Sequence, residues 1–88
     1  MKHLPRSVLA AFVQAMEERL LANDHKGGWH RMSYEELLLR ALEELSELSV
    51  ALRTKQPPNA LLREAADVAN FVMMIADNEA AEALRNLT

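Results

Sequence analysis

Glu43, Glu44 and Glu47 in one stretch, and Glu64 and Asp67 in a second that begins after a gap of sixteen residues, are the side chains best suited to chemistry. Within each stretch the acids fall three or four residues apart, a spacing that puts them on neighbouring parts of one helical face. Like charges so placed repel by roughly a few tenths of a kcal/mol per pair in water, and by more in a poorly solvated groove. If the two helices pack together, something positive belongs between them. Glu44, Glu47, Glu64 and Asp67 offer only oxygen donors, a set that suits hard cations; Mg²⁺ or Mn²⁺ held this way completes its shell with water and substrate phosphates. The expected chemistry is metal-assisted chemistry on phosphates. Four or five carboxylates exceed the charge that one divalent ion neutralises, so one ion or two remain open.

The elements that must position these acids are helices. From about Arg6 to Leu21, Leu9, Phe12, Val13, Met16 and Leu20 recur at three- and four-residue steps, with Glu17, Glu18 and Arg19 read as off that stripe. The run Asn23, Asp24, His25, Lys26, Gly27, Gly28 ends this first helix, and Trp29, the single tryptophan, follows in a loop with His30 and Arg31. Ser33 is placed to cap a second helix running to about Leu52, with Glu36 three residues on completing a capping box. On it, Leu37, Leu38, Ala41, Leu45, Leu48 and Leu52 form one apolar sector, while Leu39 and Val50 lie opposite and suit a subunit contact. Pro57 and Pro58 stop that helix, and Asn59 is read as the cap of a third, from Ala60 to about Asp77.

The third helix is apolar almost all round, which predicts burial. Its polar strip holds Arg63, Asp67, Asn70 and Asp77, and Glu64 falls outside that strip, one turn before Val68 and two before Phe71. An unpaired carboxylate there costs several kcal/mol or stays protonated, so Glu64 calls for a cation, a base or a water-filled groove. This makes Glu64 more informative than the conspicuous Glu43-Glu44 pair. A short Ala-rich helix from Glu79 to Leu87 closes the chain. The short Pro-Pro linker favours antiparallel packing of the two acid-bearing helices.

Composition narrows the function classes. Residues 1–88 suit one domain with a thin core, for which oligomerisation is a common remedy. Half the residues are hydrophobic, with two Gly and three Pro, which favours an all-α bundle of three main helices and a short fourth. A formal charge of −3 offers no broad basic surface for a nucleic-acid polymer. There is no cysteine for disulfides or thiolate metal sites. The apolar runs Val8 to Val13 and Val68 to Ala76 are too short for a secretory leader or a membrane span, and a cytoplasmic protein is the expectation.

The pattern EExxE, a gap of sixteen, then ExxD resembles the signature of the all-α nucleoside triphosphate pyrophosphohydrolases, the MazG-like superfamily that includes the dimeric dUTPases. Asn23-Asp24-His25-Lys26-Gly27-Gly28-Trp29 and Glu64-Ala65-Ala66-Asp67-Val68-Ala69-Asn70-Phe71 resemble the small single-domain members found in phage and mobile elements. The resemblance covers about residues 12 to 78. It implies that Glu44, Glu47, Glu64 and Asp67 hold Mg²⁺, with Mn²⁺ a substitute, and that Glu43 is a further ligand or a base for the attacking water. It implies hydrolysis of nucleoside or deoxynucleoside triphosphates to monophosphate and pyrophosphate by a homodimer or homotetramer. Lys26 would neutralise phosphate, Trp29 would stack on the base, and Asn70 would hydrogen-bond sugar or base.

Blander readings stand beside these. Glu43, Glu44 and Glu47 alone would read as a solvated face, Trp29 as a plug of the bundle end, Lys26 as a loop charge and Asn70 as a satisfied core amide. A di-iron carboxylate bundle needs Glu-x-x-His pairs, and Asp67 stands where the histidine would be. The non-enzymatic alternative is a helical oligomerisation module with a structural metal.

Overall fold

The computed structural model describes residues 4–23 and 28–87. Among these the regular structure is all helical: α1 Leu4–Ala22, α2 Tyr34–Arg53, α3 Pro58–Glu79 and α4 Ala81–Asn86. The chain is an all-α helical bundle. α3 is central and packs on both α2 and α1, whereas α1 and α2 make no close backbone approach to each other among the described residues.

Local sequence sets the helix ends. The Ser33 Oγ accepts the Glu36 N–H at 3.1 Å, and the Glu36 carboxylate accepts the Ser33 N–H at 3.0 Å. This is the capping box expected from the sequence, worth about 1 kcal/mol. At the other end of α2, Lys55 N–H donates to the Leu52 carbonyl and Gln56 N–H to the Ala51 carbonyl. Those two bonds make a Schellman motif, which turns the chain through a left-handed residue. That residue is Lys55, at φ 55°.

Two expectations about ends are corrected. α3 begins at Pro58 with Pro57 as its cap, so Asn59 lies inside the first turn. Proline suits that first position because its missing N–H would be unpaired there anyway. α4 begins at Ala81, not Glu79: Glu79 still belongs to α3, and Ala80, at φ −132° and ψ 28°, separates the two helices.

α2 and α3 run antiparallel. Glu44 and Glu47 meet Glu64, while Arg40, earlier on α2, lies over the ring of Phe71, later on α3. The core at this crossing is Leu37, Ala41, Phe71 and Met74, with Leu20, Trp29, Met32, Met73 and Ile75 packed against it. Leu37 is the largest side chain that is fully buried, so the core is as thin as the length predicts.

The buried face of α2 is Leu37, Ala41 and Ala51. Leu38, Leu45 and Leu52, expected on the same face, are exposed together with Leu42. At about 100° per residue these four form a second apolar stripe beside the packed one. Leu39 and Val50 are also exposed, as are Leu9 and Val13 on α1 and Leu62 and Val72 on α3. The third helix is therefore not buried all round, contrary to the expectation from its sequence.

Candidate metal centre

Antiparallel packing brings Glu44 and Glu47 of α2 against Glu64 of α3. Each of the three offers a carboxylate oxygen within 4.8 Å of the others. One oxygen of Glu44 and one of Glu64 are buried without a hydrogen-bond partner among the described residues. Buried acceptors are normally satisfied, so two orphans on facing helices mark a place for a donor or a cation. The three acids line an open groove of about 250 Å³ together with Asp67, Arg19, Asn23, Arg40 and Phe71.

The electrostatics follow from this crowding. Burial pushes the Glu44 carboxyl up to about 7, reinforced by hydrogen bonding to Glu47 and by the charges of Glu47, Asp67 and Glu64. That bond needs a shared proton. With both carboxylates ionised neither could donate to the other. Glu64 is raised too, first by burial and then by the Glu47 and Asp67 charges, against the opposing influence of Arg19 and Arg63. Carboxyls held above their ordinary range are destabilised as anions, and a bound cation relieves that. Two orphaned oxygens and an all-oxygen donor set fit a hard divalent ion.

Asp67 is close enough to be felt by Glu44 and Glu64 but is otherwise engaged. Arg19 of α1 grips it in a bidentate pair, Nε to Oδ1 at 2.9 Å and Nη2 to Oδ2 at 3.1 Å. Both side chains are largely sheltered, at 27% and 14% exposure. The Asp67 hydrogen bond raises the Arg19 guanidinium further above its ordinary value.

Arg19 is the site residue that sequence reading missed, placed off the α1 stripe when it lies on it. It follows Phe12 by seven residues and Met16 by three, the steps of one helical face. A cation on an otherwise apolar face of α1 was the available signal. Arg40 and Asn23 were also missed. Arg40 pairs with Glu43 at 3.3 Å and has its guanidinium carbon 5.3 Å from the Phe71 ring centre.

Glu43 is not brought into the cluster: it is 58% exposed and turned to Arg40. Asn70 is buried at 4% exposure, with Nδ2 donating to the Met16 carbonyl at 3.0 Å and Oδ1 without a partner among the described residues. It lines a small cavity shared with Arg19 and Asp67. Trp29 donates its indole N–H to Asp77 at 3.0 Å, and Asn78 Nδ2 donates to the Trp29 carbonyl at 2.9 Å. Asp77 lies ten residues beyond Asp67, about 15 Å along α3, so Trp29 covers the end of the bundle away from the acids. Lys26 and His25 lie outside the described residues.

No protein-family model, curated protein or solved structure matches the chain. No helix among the described residues is long and apolar enough to cross a membrane.

Proposed function

We propose that the chain is a Mg²⁺-dependent pyrophosphohydrolase of the MazG-like type, converting nucleoside or deoxynucleoside triphosphates to the monophosphate and pyrophosphate. The observation that carries this reading is the convergence of Glu44, Glu47 and Glu64 with two orphaned buried oxygens. An acidic face evolved only for solubility has no reason to desolvate its carboxylates across a helix pair. The EExxE and ExxD resemblance supplies the reaction class.

In this reading Glu44, Glu47 and Glu64, joined by Asp67, hold the divalent cation, with Mn²⁺ able to replace Mg²⁺. When bound, the ion supplies Lewis-acid neutralisation of the triphosphate charge. Arg40, stacked on Phe71 at the rim, orients the polyphosphate electrostatically. Glu43 acts as a base only after Arg40 releases it.

A groove of about 250 Å³ takes a phosphate tail but falls below the roughly 300–1,000 Å³ of sites that enclose a small molecule. The missing wall is a second copy of the chain, docked through the exposed Leu38, Leu42, Leu45 and Leu52 stripe. A cytoplasmic role in clearing the nucleotide pool suits such an enzyme.

The test is pyrophosphate release from a panel of standard and modified triphosphates, with and without Mg²⁺, by wild type, Glu47→Gln and Glu64→Gln. Activity that needs Mg²⁺ and both glutamates supports the reading. Inactivity on every substrate, or full activity of both variants, removes it in favour of a helical oligomerisation module with a structural metal.

A further inference from the structure

Asp67 belongs to the acidic groove by position, yet both of its oxygens are paired with Arg19. Arg19 Nε and Nη2 take one oxygen each, at 2.9 and 3.1 Å. The three glutamates that converge do so without Asp67. The carboxylates and the guanidinium therefore form two neighbouring subsets, three converging acids and a fourth paired with arginine. Arg19 lines both the acidic groove and a small cavity that Asn70 also lines, and Asn70 Oδ1 is buried without a partner among the described residues. A guanidinium carries five N–H donors, and the pair with Asp67 uses two.

We propose that Arg19 is the resident counter-cation of the site, occupying Asp67 in the metal-free protein and competing with the divalent ion for it. The proposal rests on the metal-binding reading given above. A guanidinium that holds both oxygens leaves only their outer lone pairs for an ion, which would then sit beside a positive charge. Metal loading at Asp67 is therefore opposed by Arg19 and favoured when the guanidinium swings away. The released guanidinium stays in the groove as a fixed positive charge, suited to a phosphate oxygen of the incoming triphosphate. Metal and polyphosphate binding become coupled through one side chain, and an idle site keeps part of its negative charge neutralised. Arg19 is a positioning residue in this scheme, and it comes from α1, the one long helix that carries none of the clustered acids.

The experiment measures Mn²⁺ affinity of the full chain without nucleotide, by electron paramagnetic resonance of free Mn²⁺. It then measures affinity of the Mn²⁺-loaded protein for a non-hydrolysable triphosphate analogue. Arg19→Met is expected to bind Mn²⁺ about tenfold more tightly than wild type, the order set by losing one charge-assisted pair, and to bind the analogue more weakly. These opposite directions separate competition from damage, because a disordered site loses both affinities. Arg19→Gln serves the same comparison if Arg19→Met fails to give a helical circular dichroism spectrum. In an Asp67→Asn background the Arg19 substitution should no longer change Mn²⁺ affinity.

Equal or weaker Mn²⁺ binding by the folded Arg19 variant overturns the proposal while leaving the metal site standing. So does an equal tightening in the Asp67→Asn background, which would make the effect one of general charge. Absence of Mn²⁺ binding by wild type removes the metal reading itself, and the proposal with it.

Discussion

Glu44 on α2 and Glu64 on α3 converge with one carboxylate oxygen each buried and without a donor among the described residues. Such an arrangement opposes folding in the absence of a cation and is relieved by one, since a desolvated anion is stabilised only by opposite charge or by hydrogen bonds.

Glu64→Gln therefore separates stability from function. Replacing a buried carboxylate by a neutral amide should raise the melting temperature of the metal-free protein, by roughly 4–8 °C for each kcal/mol recovered. The same substitution should abolish the further rise on adding Mg²⁺ and lower pyrophosphate release by at least the roughly 10–100-fold seen when even an outer partner of a metal is lost. Thermal melts with and without Mg²⁺, beside the release assay, check all three; a metal-free melting temperature below wild type would contradict the strained-carboxylate account.

The pH dependence of the metal-free protein carries an unusual sign. Glu44 is raised to about 7 in the folded state and Glu64 moves the same way. The folded chain then holds more protons than the unfolded chain between the ordinary glutamate range and about 7. This contribution to stability is fully present below the unfolded value and is lost as pH rises through the folded one. Melting temperature in chelator should fall between about pH 5 and about pH 8. Because protons and metal compete for the same carboxylates, Mg²⁺ should stabilise more at the upper end. A flat profile in chelator, or equal Mg²⁺ stabilisation at both ends, counts against it.

Trp29→Phe keeps the packing on the core and deletes the indole donor to Asp77. The loss of one such bond is worth about 1 kcal/mol, read as a lower urea midpoint with an unchanged slope. Because Trp29 sits about 15 Å along α3 from Asp67, KM for a triphosphate should change less than about twofold. A large rise in KM at unchanged stability would instead make Trp29 a base-stacking residue.

Lys55→Gly addresses the turn between α2 and α3. Lys55 adopts φ 55° in a Schellman motif that ordinarily takes glycine. Removing its Cβ relieves a left-handed conformation costing about 1 kcal/mol, partly offset by the greater freedom of glycine in the unfolded chain. A net gain of a few tenths of a kcal/mol or more is expected in denaturant melts, with Mg²⁺ binding unaltered.

Much of this molecule is readable in one dimension, and the limit of that reading has a physical cause. Helix ends are local: side-chain type alone identified the Ser33-Glu36 box, but not the Lys55 turn that ends α2 or the Pro57 cap of α3, which other nearby residues could equally have supplied. The anomaly of Glu64 was legible because an acid within an apolar helical sector is costly wherever the helix packs. Which of two adjacent leucine stripes on α2 faces α3 was not legible, since Leu37 and Leu38 differ by only about 100° and by nothing in chemistry.

Nor could sequence spacing tie Arg19 to Asp67, 48 residues away, because that pairing depends on how α1 crosses α3. Sequence by itself determined an all-α chain with acids spaced along one face of each of two helices. Tertiary structure decided which acids converge, which one is held by arginine, and which leucines are left facing outward. Periodicity defines a face on each helix, but only packing selects the face it meets.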